Sequence, residues 1–459
     1  MVYPSPYNMF VENYSGKAIL FNTNTNELLD VLPSQKNILK NLLLSRSSLL
    51  KTPQEQFLLS KGFLLSNEFS PICNSVKLLE EREKILQITI LPTLSCNFRC
   101  PYCFEKHINQ KMSRLVIEKI IEFVEKSVAS FRVLSVHWYG GEPLLCLDLI
   151  QQISDKLQGL CVRHKKIFLA SITTNGYLLT PSTYKTLRYY NINEYTITLD
   201  GPKSYHDQQR KLCDGSKTFD TIVENLKDIQ KLESSSMVRF FIRTNFTKEN
   251  YKKRRNWELF LEKEFLFDKR FRYVPRYTWN NKNSQVPSAE LIPFIFNNFV
   301  SNINQIQLSL THSSHQCNLA LTHDFSLQQD AVAQLESLKN HSAICGAGLR
   351  KTLIVLPSGD VAKCQVSLAS GSSCVGSIFD MASVDDYADN FSKRWWDRSD
   401  RIAQSDCLKC PVYPYCLSLG CAQKTYNSQL REHHWCQEFV QSIRQILMAL
   451  SYYNNTPFR

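Results

Sequence analysis

Ile85-Leu86-Gln87-Ile88-Thr89-Ile90-Leu91-Pro92-Thr93-Leu94-Ser95-Cys96-Asn97-Phe98-Arg99-Cys100-Pro101-Tyr102-Cys103 runs a β-prone, apolar segment directly into three cysteines spaced C-x3-C-x2-C. Ile85 to Leu91 reads as a strand. Further strands are predicted at Leu134-Trp138, Ile167-Thr173, Glu194-Leu199, Val238-Asn245 and Arg270-Pro275. Helical patterns lie between them, at Ser113–Ala129, Leu147–Leu157, Pro181–Tyr190, Phe219–Leu232 and Tyr251–Lys263. In the first of these, Ile117, Ile120, Ile121, Val124 and Val128 recur at helical spacing. Thr180 before Pro181 supplies an N-cap and a first-turn proline. Six β/α units predict an α/β fold whose parallel sheet curls into a partial (β/α)6 barrel. Such strands present their C-terminal ends to the active site, so chemistry is expected just after each strand.

The chain has 459 residues, of which 43% are apolar and 21% charged, the balance of an ordinary globular protein. Global disorder is excluded, and several domains are expected. No run reaches the length of a membrane span, so no membrane partner is expected. The start, Met1 to Asn13, lacks a basic region followed by an apolar one, so no secretory signal is read and the expected compartment is the cytoplasm. There, 16 cysteines are not explained by disulfides. Metal ligands, reactive thiols or core residues remain. The 54 Lys and Arg exceed the 42 Asp and Glu by 12. The dense patch Lys252-Lys253-Arg254-Arg255 has no nucleic-acid-binding motif beside it and reads as a solvated helix face, so no nucleic-acid partner is expected. A positive field favours an acidic peptide or an anionic cofactor.

Residues 1–84 read as a separate winged-helix-like module. It has strands near Asn8-Val11 and Ala18-Asn22, helical stretches at 34–46 and 53–61, a cap at Gly62, and a closing strand from Phe63 to Leu65. A charged helix, Val76 to Lys84, is expected to link it to the barrel. Residues 85–310 are assigned to the barrel. Residues 311–459 are assigned to a polar bridge and a cysteine-dense domain, which from Cys345 onward is expected to need metal to hold its shape.

At this cysteine frequency the triple Cys96, Cys100 and Cys103 arises by chance roughly 0.02 times per chain. Three thiolates on one loop suit three irons of a [4Fe–4S] cluster and leave the fourth iron open. With its surroundings, the motif resembles that of the radical S-adenosylmethionine (SAM) superfamily. Trp138-Tyr139-Gly140-Gly141-Glu142-Pro143 resembles the family's GGEP motif, Thr173-Thr174-Asn175-Gly176 follows the third strand, and Thr196-Ile197-Thr198-Leu199-Asp200-Gly201-Pro202 follows the fourth. The resemblance implies that Gly140, Gly141 and Glu142 hold the SAM amino group. It implies that Thr174 and Asn175 lie near the sulfonium and ribose, that Thr198 and Arg210 bind the SAM carboxylate, and that Tyr102 packs on adenine.

A second set, Cys345, Cys364, Cys407, Cys410, Cys416, Cys421 and Cys436 with Gly359, is similar to the SPASM extension, which binds two auxiliary [4Fe–4S] clusters. The gap from Cys416 to Cys421 is one residue longer than the usual pattern. The resemblance implies one cluster on Cys407, Cys410, Cys416 and Cys436 and another on Cys345, Cys364 and Cys421. The latter is one ligand short, left open or completed by Cys374 or Cys317. Cys73, Cys146, Cys161 and Cys213 are expected to be bystanders. No histidine, and no other residue, is singled out as catalytic acid or base.

The resemblance implies an enzyme that cleaves SAM to a 5′-deoxyadenosyl radical, fed by an electron donor such as flavodoxin or ferredoxin. Its expected substrate is a ribosomally made precursor peptide whose leader binds residues 1–84 as an added strand, and which is cross-linked, oxidised or epimerised. The alternatives are a sulfatase-maturing type enzyme that oxidises a Cys or Ser and, more remotely, a non-enzymatic iron–sulfur electron carrier.

Overall fold

A computed structural model describes residues 2–12, 16–44, 52–66, 80–277, 346–397, 410–416, 440, 443–444 and 447–448. The chain divides into two compact units, one of Met1–Arg82, Phe296–Gly348 and Trp396–Arg459, the other of Glu83–Ile295 and Leu349–Trp395. Of the linking helix expected at Val76–Lys84, residues 80–83 are helical and residues 76–79 lie outside the described residues.

In the first unit, β1 (Tyr3–Pro4) pairs antiparallel with β5 (Leu64–Leu65), and β2 (Asn8–Glu12), β3 (Ala18–Asn22) and β4 (Leu28–Val31) form an antiparallel sheet. The helix Pro53–Ser60 starts from a reciprocal cap, in which the Glu55 N–H donates to Thr52 Oγ1 at 3.2 Å and the Thr52 N–H donates to Glu55 Oε2 at 3.0 Å. Leu20, Val31, Leu58, Phe63 and Leu64 close a small core. The strand Leu28–Val31 was not expected, because Leu28, Leu29 and Val31 around Asp30 give too short a pattern to stand out.

The second unit carries the six predicted parallel strands: β6 (Ile85–Ile90), β7 (Val133–Trp138), β8 (Ile167–Thr174), β9 (Ile192–Thr198), β10 (Arg239–Phe246) and β11 (Phe271–Tyr277). They neighbour one another in chain order. Helices Arg114–Lys126, Leu147–Arg163, Pro181–Tyr189 and Phe219–Leu232 stand between them, the first and third capped by Ser113 and Thr180. Alternation along the strands divides the two faces. Leu86, Ile88, Leu134, Val136, Trp138 and Ile172 share one core with Val116, Ile120 and Ile153 of the helices. The other face is polar: Thr89 registers beside His137, His137 beside Ser171, Thr173 beside Thr196, and Thr198 beside Arg243.

The predicted helix Tyr251–Lys263 is divided. A short turn, Lys248–Tyr251, precedes Arg254–Leu261, and a π-helical turn, Glu262–Leu266, follows. Asn250 explains the early start. Its Oδ1 accepts from the Thr247 N–H at 2.8 Å, while its Nδ2 donates to the Asp200 and Asn245 carbonyls.

The sheet continues past β6. Strand β12 (Thr352–Val355) lies parallel to β6, then β13 (Asp360–Ala362) and β14 (Cys374–Ser377) follow antiparallel. Gly359, at φ +92°, closes the β12–β13 turn. The expectation that metal holds everything after Cys345 therefore does not apply to Leu349–Trp395. Leu353, Val355, Val361, Ile378, Val384 and Tyr387 join the same apolar core as β6 and the helix Arg114–Lys126. The boundary drawn from sequence at 310/311 separates these residues from the sheet they extend. The signal was faint because the strands are only three or four residues long.

Ser127 ties this extension to the sheet's helices. It is fully buried, donates to the Phe123 carbonyl at 2.6 Å and accepts from the Val384 N–H at 2.8 Å. Ser127→Ala strands a buried N–H and is expected to cost about 1–3 kcal/mol. Chemical denaturation checks this, and an unchanged midpoint contradicts it.

Candidate functional site

The loop after β6 owes its shape to contacts on three sides. Phe98, within the cysteine motif, is 1% exposed and anchors the loop in the core, edge-on to Tyr177 at 6.1 Å. Leu94 N–H donates to the Gln110 carbonyl at 3.0 Å, and a bridge joins Phe98 to Leu212. On the third side lie Gly140 and Gly141. Gly141 N–H donates to the Thr93 carbonyl at 3.2 Å and Glu142 N–H to the Ser95 carbonyl at 2.8 Å. A Cβ on Gly140 would stand 2.4 Å from the Thr93 carbonyl oxygen, and one on Gly141 would stand 2.2 Å from that of Ser95. The close approach these glycines permit is thus made by the cysteine loop itself, although both also line the pocket.

Cys96, Cys100, Cys103, Tyr102, Gly140, Gly141, Thr174, Asn175, Thr198 and Arg210 all line one pocket at the C-terminal ends of the strands. Glu142 is the exception among the residues assigned to the loops. It is 1% exposed, and its carboxylate accepts from Thr174 Oγ1 at 2.7 Å, the Asn175 N–H at 2.7 Å and the Leu144 N–H at 3.0 Å. It stitches the GGEP and TNG loops together from behind the pocket. Asn175 carries the seam onward, donating to Asn97 Oδ1 at 2.8 Å.

Asp200, with no exposed surface, is a hub that sequence reasoning quoted but gave no role. Its Oδ2 accepts from the Tyr102 hydroxyl, and its Oδ1 accepts from the Asn245 N–H at 2.8 Å and Nδ2 at 3.2 Å. Arg210 donates to the Tyr102 hydroxyl at 2.7 Å, lies 3.9 Å from Asp200 and sits over the Phe98 ring. Its Nε is buried without a hydrogen-bond partner. His206 and Asp207 build this framework. His206 Nδ1 accepts from the Asp200 N–H at 3.2 Å, and Asp207 Oδ1 accepts from the N–H groups of Thr218 and Phe219.

Phe104, Glu105, His107, Tyr139, Thr173, Arg243 and Asn245 also line the pocket. Arg243 and Asn245 lie near the end of β10, inside the predicted strand and not after it, so the expectation that chemistry follows each strand did not single them out. Glu105 and His107 had no signal beyond nearness to Cys103, whose thiol lies 3.5 Å from His107 Nε2. Burial lifts Glu105 to about 7, and its Oε1 has no partner.

Cys96, Cys100 and Cys103 are free thiols. Among the described residues no three His, Cys, Asp or Glu side chains converge on a point that would hold a single metal ion. A cluster is wider than an ion and needs thiols spread over the wall of a cavity, and all three cysteines line the same pocket. Burial pushes Cys96 up to about 12 and Cys103 to about 11, and raises Cys100. Of the second cysteine set, Cys345, Cys407, Cys421 and Cys436 lie outside the described residues, as do Cys317 and Cys73. Cys416 ends the helix Tyr413–Cys416. Cys364 and Cys410 are half-buried, Cys374 is exposed, Cys146 and Cys161 are buried, and the exposed Cys213 thiol rests 3.2 Å from the Asn97 carbonyl.

Two outcomes are expected. Gly141→Ala forces the cysteine loop away and lowers the iron bound per chain, with helix content by circular dichroism unchanged; full iron loading contradicts the seam. Because the raised thiols keep their protons near neutrality, iron must displace them. Loading from iron and sulfide therefore rises from about pH 7 to about pH 9 with proton release, and a flat profile contradicts this.

Residues 90–257 match the family model described as the radical SAM superfamily. The radical SAM cyclopropyl synthase TigE of Paramaledivibacter caminithermalis is 27% identical over 203 residues, 39% of this chain and only 41% of that protein. A cysteine-type anaerobic sulfatase-maturating enzyme of Clostridium perfringens is 23% identical over 369 residues, 77% of this chain and 94% of that enzyme. A solved structure described as native anSMEcpe with bound AdoMet and Kp18Cys peptide superposes with a TM-score of 0.56 at 18% identity, covering 80% of this chain and 99% of that one. It shares the α/β fold with its mostly parallel sheet. No helix of the described residues is long and apolar enough to cross a membrane. Residues 90–257 of this chain belong to the radical SAM superfamily.

Proposed function

We propose that the chain is a radical SAM enzyme that modifies a residue of a ribosomally made precursor peptide. The observation that carries this reading is the pocket in which three cysteine thiols, the Gly140–Gly141 turn, Asn175, Thr198 and Arg210 meet at the strand ends. Cys96, Cys100 and Cys103 hold a [4Fe–4S] cluster. Thr198 and the unpartnered Nε of Arg210 receive the SAM carboxylate, and Gly140, Gly141, Thr174 and Asn175 border the rest of SAM. When bound, cluster and SAM supply a one-electron reductive cleavage, driven by a flavodoxin- or ferredoxin-type donor. The protein's part is placement. Asp200 holds Tyr102 and Arg210 at fixed positions, Glu142 locks the two loops behind them, and the buried walls keep water from the reacting atoms. Residues 1–84 bind the peptide leader as an added strand. Residues 311–459 carry two auxiliary clusters, on Cys407, Cys410, Cys416 and Cys436 and on Cys345, Cys364 and Cys421.

A second reading, maturation of a sulfatase by oxidation of a Cys or Ser, is favoured by the alignment that covers 94% of the Clostridium perfringens enzyme. An iron–sulfur carrier has no use for intact GGEP, TNG and LDGP loops, and here all three line or brace one pocket. Incubating the reduced protein with a sulfatase-derived Cys or Ser peptide, and with short peptides encoded beside its gene, separates the first two readings by mass change.

Anaerobic assay with SAM and dithionite tests the common core. The protein is expected to release 5′-deoxyadenosine, and Cys100→Ala to reduce this to background, because two thiolates cannot hold the cluster with one open iron. No release from iron-loaded, reduced protein contradicts the enzyme reading. Cys410→Ala is expected to retain SAM cleavage while losing modified peptide; equal loss of both assigns the auxiliary cluster a structural role.

A further inference from the structure

The polar face of the sheet ends, at its β10–β11 side, in two arginines that the SAM-binding assignment does not use. Register sets Arg243 beside Val274 and Asn245 beside Arg276, so alternation turns both arginines to the pocket face. Arg243 lines the pocket, and among the described residues its guanidinium makes one hydrogen bond, from Nε to Asn245 Oδ1 at 3.0 Å. Arg276 is exposed, beyond the pocket lining on the same face, and among the described residues its guanidinium donates only to the Pro275 carbonyl, at 3.1 Å. Among the described residues neither has an acidic side chain within ion-pair distance. Asp200, whose carboxyl feels the Arg243 charge, is already held by Tyr102, Asn245 and Arg210, and Glu105, the acid that lines the same pocket, makes no ion pair with either arginine among the described residues. The surrounding protein and the charge of Arg243 pull the Arg276 guanidinium below its ordinary value. Arginines do not shed their protons, so placing two together costs repulsion that a bound anion offsets.

We infer that Arg243 and Arg276 form a carboxylate subsite for the substrate, so that the modified peptide carries an acidic side chain, or its own C-terminal carboxylate, beside the reacting residue. A guanidinium fork matches a carboxylate in shape as well as charge. The inference rests on the peptide-modifying reading and narrows it to acidic substrates. It also gives a place to the chain's excess of 12 basic residues, which draws such peptides in.

The test is equilibrium binding, without reductant, to the iron-loaded protein with SAM. The probes are three short fluorescent peptides of one sequence: one with an internal Glu and an amidated C-terminus, one with Gln in its place, and one with Gln and a free C-terminal carboxylate. Either acidic peptide is expected to bind about tenfold more tightly than the neutral one. Arg243→Gln and Arg276→Gln are each expected to erase that preference, while Arg255→Gln, on the exposed helix face, keeps it. Whichever acidic peptide shows the preference identifies the source of the carboxylate. Equal binding of all three peptides overturns the subsite, as does equal loss in Arg255→Gln. Weaker SAM binding in both pocket variants with the peptide preference intact assigns the arginines to the cosubstrate and also overturns it. Because no turnover is read, failure of SAM cleavage, which bears on the preceding subsection, leaves this result independent.

Discussion

The site depends on a seam where two backbone loops touch with no room for a side chain. The loop carrying Cys96, Cys100 and Cys103 lies against Gly140 and Gly141 so closely that any Cβ there would enter the carbonyl groups of Thr93 and Ser95. Everything else is registered from that contact. Glu142, next in sequence, turns back to bind Thr174 and Asn175, and Asn175 reaches Asn97 inside the cysteine motif. Three strand ends are thereby fixed to one another before any cofactor is present. Asp200 adds the fourth and fifth by holding Tyr102 of the cysteine loop and Asn245 of β10.

Much of this was legible in the sequence. The six strands were found to within two residues at each end, because helix-facing apolar residues such as Leu86, Ile88 and Ile90 alternate with Gln87 and Thr89. The placement rule then put each motif at a strand end, and ten assigned residues line one pocket. What was less legible is instructive. Glu142 and the two glycines were read as ligand-facing from family likeness, whereas their hydrogen bonds and contacts are largely to the neighbouring loops. Roles of this kind depend on which backbone lies opposite, which spacing does not record. Arg243 lacked a motif and lies within the predicted strand, so nothing in the sequence marked it.

The C-terminal half was harder because its two kinds of order are interleaved. Residues 349–395 extend the parallel sheet and share its apolar core, while Cys364 sits directly beyond β13 in the same stretch. Short strands and scattered cysteines look alike in sequence as an irregular, metal-held region. In the structure, hydrophobic burial by Leu353, Val361 and Tyr387 gives Leu349–Trp395 a shape of its own, so one assigned auxiliary ligand rises from the sheet that also bears the pocket.

The most direct measurement of the central claim is electron paramagnetic resonance of the dithionite-reduced protein with Cys407, Cys410, Cys416 and Cys421 replaced by alanine, recorded with and without SAM. A cluster held by Cys96, Cys100 and Cys103 with one open iron gives a [4Fe–4S] signal that shifts when SAM is added. A signal that SAM leaves unchanged, or one that survives replacement of Cys96, Cys100 and Cys103, would contradict it.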